Sequence, residues 1–468
     1  MIKFFPNQFY MIGLLLVAAL SPSCKKLIDI PANPPTAITE TQQFADSATT
    51  LTAVAGVYSY TSFGQGFMYN DGNLTFCTGL SSDEIIFNGG YPYPDLEAFY
   101  GYGLTDLNSI VNNLWSAPYT GLYAVNSIIS NVAASKSLSA SFKTQITGEM
   151  KMVRALYYFN TVNLFGAIPL VLSTDYKTTS LLPRTSVDSV YAQILSDLSD
   201  AQKDLPAAYP SSGRLRPNLY TAMSLLAKVR LYRQQWQAAY DAADSVISSG
   251  LYTLEPNLNN VFLDGSNEAI WQIAATGNSQ VTREASQFVP YNSFQAPQYL
   301  VTPFLQNAFE AGDLRWQNWV GNYVVNINGV NQQLYAPYKY KNLSPDAPTT
   351  EDYMIFRLAE LYLIRAEAAA QLGNTTVALA DLNQVRTRAG LASSTASSQT
   401  DILTAIMHER QVELFCEWGN RWFDLKRTGT ADAVLGAEKP TWKPNEVLYP
   451  VPRTQRQFNS NLTQNPGY

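Results

Sequence analysis

The sequence predicts a mostly α protein: helical hairpins forming a scaffold, with long irregular loops and a few short strands. Three observations predict it. Apolar residues recur at helical spacing in paired runs of roughly 34 residues, the period of a tetratricopeptide repeat. Between those runs lie stretches rich in Gly, Asn, Asp and Tyr that show no period, notably 61–106. Strand-like runs are few and short, Ala269–Ile273 and Tyr323–Ile327.

The N-terminus reads as an address. Residues 1–23 carry Lys3 and then the apolar run Met11–Leu20. That run is too short to span a bilayer, which needs about 20 apolar residues, and it suits an export signal. Leu20-Ser-Pro-Ser23 before Cys24 has the form of a bacterial lipobox, with cleavage before Cys24 and lipid attached to it. Pro22 and the position of Leu20 depart from the usual pattern, and plain secretion with an incidental Cys is the alternative. Residues 24–50, with Ile30-Pro-Ala-Asn-Pro-Pro-Thr36, are expected to form an extended lipidated tether. No later run is apolar enough to cross a membrane, so the mature chain would hang from its acyl chains. With Cys24 lipidated, Cys77 and Cys416 remain, and two free buried thiols are expected.

Residues 51–250 form an expected helical region. Trp115–Val132 with Phe142–Leu164 is one candidate hairpin. Ala222, Leu225, Leu226, Val229 and Tyr232, then Trp236, Ala239, Ala243 and Ile247, form a second, joined around Arg233–Gln235. A soft boundary falls at 250–268, and 268–468 is the expected C-terminal domain. There Leu358, Leu361, Ala366 and Leu372 make one helix, Gly373-Asn374 breaks it, and Ala378, Leu382 and Val385 make the next before Gly390. Ile402–Trp418 is a further helical stretch.

Composition excludes several functions. Lys plus Arg is 31 and Asp plus Glu is 37, a net charge of −6 with no basic run, so nucleic acid is a poor partner. One His, His408, and three Cys leave no His-rich or four-cysteine metal site. No cofactor is expected, and a structural Ca²⁺ is compatible with the acidic loops without being indicated. His408-Glu409 begins like a zincin motif but no second His exists. Gly101-Tyr-Gly103 lacks the third Gly of a dinucleotide loop. Asp83 with Glu84, or Asp346, Glu351 and Asp352, supply carboxylates of the kind a glycoside hydrolase needs, but loop acids are ordinarily solvated. Glu409, Glu413 and Glu417 at i, i+4, i+8 read as a structural ion-pair cluster with Arg410 and Arg421. No enzyme emerges.

Aromatics are the positive signal. Charged residues are 15% and aromatics 12%, with 29 Tyr. Tyr91, Tyr93, Tyr100 and Tyr102 lie among Gly, Pro and Asp, which argue against a helix or strand burying all four. Tyr291, Phe294, Tyr299 and Trp316, with Trp319, form a second set. Ring faces stack on sugar C–H surfaces while nearby hydroxyls bond ring hydroxyls. Both sets are therefore candidate ligand contacts.

Several strings then match one family. Met152-Val-Arg-Ala-Leu-Tyr-Tyr-Phe-Asn160 with Leu164-Phe-Gly-Ala-Ile-Pro-Leu170 resembles a segment of the SusD/RagB family. So do Arg357-Leu-Ala-Glu-Leu-Tyr-Leu-Ile-Arg-Ala-Glu-Ala368, Glu409-Arg-Gln-Val-Glu-Leu-Phe415 through Gly419-Asn-Arg-Trp-Phe-Asp-Leu-Lys-Arg427, and the tail from Leu448-Tyr-Pro-Val-Pro452. Trp418 departs from the family's Glu-Gly. The resemblance implies a lipid-anchored, outward-facing outer-membrane protein of Bacteroidota. It implies a non-catalytic glycan or nutrient binder that captures oligosaccharide for a SusC-like TonB-dependent transporter. A surface glycan-degrading enzyme and a purely structural lipoprotein are the competing readings. The motif residues themselves read as scaffold: Arg154, Arg357, Arg365 and Arg386 on apolar helices need partners such as Glu360, Glu367, Glu409 and Asp424.

Overall fold

A computed structural model describes residues 38–59, 72–275, 281–292, 294–344 and 350–468. The signal, Cys24 and most of the tether lie outside the described residues. The tether's described end is not extended. Helices α1 (Glu40–Gln43) and α2 (Ser47–Ser59) begin within it. Thr39 Oγ1 accepts from the Gln42 N–H, and Gln42 Oε1 accepts from the Thr39 N–H at 2.9 Å, a capping box. Phe44 is buried behind it.

Helix α3 (Asn73–Ser81), strand β1 (Ile85–Phe87) and helix α4 (Pro94–Gly101) follow. Then comes the long hairpin α5 (Ser109–Ala134) and α6 (Ala140–Phe165). Asn108 Oδ1 caps α5 by accepting from the N–H groups of Ile110 and Val111, both at 3.0 Å. The chain continues through α7 (Tyr176–Thr179), α8 (Val187–Asp204), α9 (Leu219–Tyr232) and α10 (Trp236–Ile247). The loop-rich middle holds β2 (Ala269–Ile273), α11 (Arg283–Phe288), β3 (Tyr299–Val301), α12 (Pro303–Ala308), α13 (Leu314–Trp319), β4 (Val320–Ile327), β5 (Val330–Pro337) and β6 (Tyr353–Arg357). The last helices are α14 (Leu358–Gln371), α15 (Thr375–Arg388), α16 (Gln399–Glu413), α17 (Asn420–Arg427), α18 (Ala431–Glu438) and α19 (Arg453–Phe458).

The helices stack in one continuous row: α5 on α6, then α8, α9, α10, α14, α15 and α16. Helix α6 is nearly all buried because α5 and α8 cover its two sides. Helix α10 packs on α14 although a long insertion separates them, and the antiparallel pair β2–β6 closes that insertion. The main apolar core therefore runs unbroken through residues 250–268, joining Tyr158 and Trp271 to Phe356 and Trp422.

Two hairpins turn alike. Between α9 and α10, Gln234 takes a left-handed φ of 55° and the Gln235 N–H donates to Arg230 O at 2.9 Å. Between α14 and α15, Gly373 takes φ 80° and the Asn374 N–H donates to Ala369 O at 2.8 Å. The shared three-residue turn gives these pairs their repeat-like geometry.

The family-motif arginines are paired as charge burial demands, though mostly with other partners than expected. Arg154 pairs with Asp197, and Arg365 with Asp381 and Asp244. Glu360 pairs with Lys228, and Glu367 with Arg427. Only Arg386 meets one of the expected acids, Glu409, and it also holds Glu310. Arg357 contacts Glu268 at 2.8 Å, Glu413 at 2.5 Å and Glu417 at 2.8 Å. Arg315 adds Glu409, Glu413 and Asp313, and Arg388 bridges Glu268 and Glu413. Arg410 and Arg421 instead hold Asp424 and Asp83. Helix α16 stops at Glu413, so Glu417 is not a third turn of it: Cys416 and Trp418 turn left-handed, with φ 52° and 49°. That turn brings Glu417 back to Arg357 and Lys339. Cys77 and Cys416 are both buried and are not bridged to each other.

Residues 448–468 return to the first long hairpin. The Tyr449 N–H donates to Leu164 O at 2.9 Å, and Asn465 Nδ2 donates to Phe165 O at 2.9 Å. Arg184 spans both, donating to Phe165 O and to Asn465 Oδ1.

Candidate functional site

The two aromatic sets lie about 200 residues apart in sequence, and one short ladder joins them. β1 pairs antiparallel with β3: Ile85 opposite Val301, Ile86 opposite Leu300, Phe87 opposite Tyr299. The Asn88 N–H donates to Gln298 O at 2.7 Å, and Asn88 Nδ2 donates to Pro297 O at 3.1 Å. At the other end the Thr302 N–H donates to Glu84 O at 2.9 Å. In an antiparallel pair the chain leaves one strand where it enters the other. The loop after β1 and the loop before β3 therefore emerge side by side.

The open rings sit on those two loops. Tyr91 is 87% exposed and Tyr93 46%; Tyr291 is 70% exposed and Phe294 89%. Exposed rings held at the same strand end form a surface that a ligand can cover by stacking. Beneath them lies an aromatic foundation. Phe87 meets Tyr93 edge-on at 6.4 Å and Tyr299 at 5.5 Å, and Tyr299 stacks on Phe76 at 5.0 Å. Tyr299 is buried and belongs to this foundation, which corrects its expected place among the ligand contacts.

Tyr100 and Tyr102 are also corrected. Pro94 does not prevent a helix: it starts α4 as the first residue, where its missing N–H has no intrahelical partner anyway. Tyr102 caps the end of α4 in the left-handed conformation, φ 51°, and is buried. Its hydroxyl donates to Ser81 O, and its ring meets Trp442 edge-on at 4.7 Å. Tyr100 is half-buried, with the Lys439 ammonium 4.2 Å from its ring centre. Trp316, on α13, is half-buried between Phe309 at 5.4 Å and Tyr335 at 4.9 Å. Trp319 is fully buried, its indole N–H donating to Leu258 O at 3.0 Å. Four of the eight expected rings thus remain at the loop surface.

The acidic candidates sit inside the scaffold. Asp83 is buried, bonded by Arg421 and, through Gln411, by α16. Glu84 is buried and accepts from the Cys416 N–H at 3.1 Å; burial, then the adjacent Asp83 charge, pushes its carboxyl up to about 8. Glu351 accepts from the N–H groups of Lys341 and Asn342. Asp352 is pushed up to about 6, by burial first and then by Asp264. Asp346 lies outside the described residues. None of the described acids faces an open cleft as a pair. His408 Nε2 lies 2.7 Å from Ala308 O, a structural contact. Among the described residues no group of three or more His, Cys, Asp and Glu side chains is placed to hold a metal ion.

Sequence reasoning missed Phe87 and Asn88, which fix the two loops together. Their signal was slight: Ile85-Ile-Phe87 and Tyr299-Leu-Val301 are three-residue β-forming runs.

Known proteins share this frame. A model described as the SusD family matches residues 305–468, and one described as starch-binding, associating with outer membrane, matches residues 97–231. SusD-like protein P25 of Formosa agariphila is 27% identical over 95% of this chain and 97% of its own. The starch-binding protein SusD of Bacteroides thetaiotaomicron is 36% identical over 25% of this chain and 22% of its own. A SusD superfamily structure from Bacteroides vulgatus superposes with a TM-score of 0.80 at 21% identity, covering 90% of this chain and 99% of that one. A laminarin-binding SusD-like protein superposes with a TM-score of 0.76 at 25% identity, over 91% and 100%. Family models match residues 97–231 and 305–468 and the helical frame superposes over most of its length, so the chain has the SusD-like fold and is similar to the SusD family over those segments.

Proposed function

We propose that this chain is a non-catalytic glycan-binding lipoprotein of the cell surface. It holds oligosaccharide against Tyr91, Tyr93, Tyr291 and Phe294 and hands it to a SusC-like TonB-dependent transporter. The observation that carries the reading is the β1–β3 ladder, which gathers four open rings from two distant loops. The names of two relatives, laminarin-binding and starch-binding, support the ligand class. The family description supports the outer membrane as the location. The lipobox-like Leu20-Ser-Pro-Ser23 before Cys24 supports a lipid anchor at that residue. Stacking without buried charge favours modest affinity, in the ~10 μM to mM range, or about −7 to −4 kcal/mol, which suits a protein that must release its catch.

Isothermal titration against starch and laminarin oligosaccharides, with a reducing-end assay on the same mixtures, tests the reading. Binding without release of new reducing ends is expected. Steady accumulation of reducing ends would make the chain an enzyme. Cys24→Ala is expected to abolish membrane fractionation, and retention of the membrane-bound, processed form would remove the lipid anchor from the reading. Co-purification with a TonB-dependent transporter checks the delivery step.

A further inference from the structure

A groove of about 550 Å³ opens between α5, the 169–180 segment and α19 with the residues after it. It shares no residue with the β1–β3 loops. Its volume lies within the usual span for small-molecule sites, about 300–1,000 Å³. Trp115, Tyr119 and Tyr123 line it at i, i+4 and i+8, one face of α5, so successive rings rise by about 6 Å along the helix. Trp115 and Tyr119 lie 5.9 Å apart at a tilt of 36°. Trp115, Asn459 and Leu462 form a buried floor, while Tyr123, 58% exposed, and Phe458, 78% exposed, stand at the rim.

The remaining wall is uncharged and mixes Pro169 and Val171 with polar side chains. Ser116, Thr120, Ser180 and Gln455 bring hydroxyl and amide groups, and among the described residues no Asp, Glu, Lys or Arg lines the groove. That combination rejects an anionic ligand, which would need a cation, and suits a ligand with C–H faces and many hydroxyls. Aliphatic side chains are few, which disfavours the apolar face of a partner helix. The walls are braced before any ligand arrives. The Tyr119 hydroxyl donates to Pro169 O at 3.0 Å, Asn126 Nδ2 to Val171 O at 2.9 Å, and Asn459 Nδ2 to Leu182 O at 2.8 Å. A preformed site loses little entropy on binding.

We propose that this groove is a second binding site for a neutral oligosaccharide, independent of the aromatic loops. It lets one chain hold a long glycan at two points, which multiplies the effective affinity where both can be engaged. It shares the ligand class of the loop reading but not its residues, so either site can fail alone.

The test starts from a variant without the three most open loop rings, Tyr91→Ala/Tyr291→Ala/Phe294→Ala. Maltohexaose, laminarihexaose, cellohexaose and xylohexaose are the neutral probes, and oligogalacturonate is the anionic control. Saturation-transfer NMR and titration read binding. The loop variant is expected to retain one site per chain for at least one neutral probe and none for the anionic control. Adding Tyr123→Ala/Phe458→Ala, both exposed rim residues, is expected to weaken that residual binding tenfold or more with an unchanged melting midpoint. Three results overturn the proposal: no neutral probe bound by the loop variant, residual binding unaffected by the rim substitutions, or a dimer in sedimentation that the rim substitutions dissolve. The last would assign the groove to a second copy of the chain.

Discussion

The block around Glu413 and the loops beyond β1 and β3 use opposite means. In the block, Arg315, Arg357 and Arg388 converge on Glu268, Glu409 and Glu413 with almost no solvent contact. At the loops, neutral rings stand in water on a three-residue ladder. The difference separates what holds the molecule from what it offers. Buried charge tolerates little substitution, because removing one partner strands the others. Exposed rings on loops can change without disturbing the frame, so the ligand can vary while the scaffold stays.

The largest effect that would break this contrast is in the block. Arg357→Met leaves Glu268, Glu413 and Glu417 without their shared partner and is expected to cost about 3–5 kcal/mol. Denaturant midpoints check it; a loss below about 1 kcal/mol would show that Arg315, Arg388 and Lys339 suffice. The loop variant Tyr91→Ala/Tyr291→Ala/Phe294→Ala is expected to do the reverse. At about 0.5–1.5 kcal/mol per ring, it should weaken glycan binding tenfold or more. Stability should stay within about 0.5 kcal/mol, as for other surface positions. Unchanged titration curves would move the ligand elsewhere.

Proton linkage sharpens the contrast. Burial alone would raise the Asp424 carboxyl, but Arg410 and Arg427 outweigh it and hold the group at about 2. Its folded value is depressed, so its contribution is present above about pH 4 and is lost as pH falls toward 2. At the far end of the β1–β3 ladder from the loops, Glu84 is pushed up to about 8 by burial and by the Asp83 charge. Its folded value is raised, so its contribution is full below about pH 4.5 and is lost as pH rises toward 8. Urea midpoints from pH 3 to 9 should show Glu84→Gln flattening the decline between 5 and 8 while leaving the acid limb alone. Parallel curves for variant and parent on the alkaline side would refute the Glu84 assignment.

The smallest expected effect concerns the two hairpin turns. Gln234 occupies the left-handed position that Gly373 fills in the other, at a cost of about 1–2 kcal/mol for a residue with a Cβ. Gln234→Gly should therefore stabilise, by up to about 1 kcal/mol once the added freedom of the unfolded chain is subtracted. Destabilisation in thermal melts would mean that the Gln234 side chain contributes more than its backbone costs.

The helical frame was legible because it is periodic. The hairpins at 219–247 and 358–388 follow from apolar spacing, and Ala269–Ile273 from its β-forming run. What escaped was local or long-range. Pro94 reads as a breaker until its position at the head of a helix is known. Tyr299 reads as a loop ring until β1 lies beside it. The partners of Arg154 and Arg365, Asp197 and Asp381, sit on neighbouring helices, and no spacing within one helix points to them. Of the site, the ring types could be read from the sequence, but which rings share a surface depended on a pairing across two hundred residues.

The return of residues 448–468 to α6 sets a timetable for synthesis. Arg184 waits for Asn465, 281 positions downstream, and the carbonyls of Leu164 and Phe165 wait for Tyr449 and Asn465. A chain synthesised N-terminus first cannot finish the end of its first long hairpin until its last residues have been made. The last residues of the chain are thus also the last pieces of its first long hairpin.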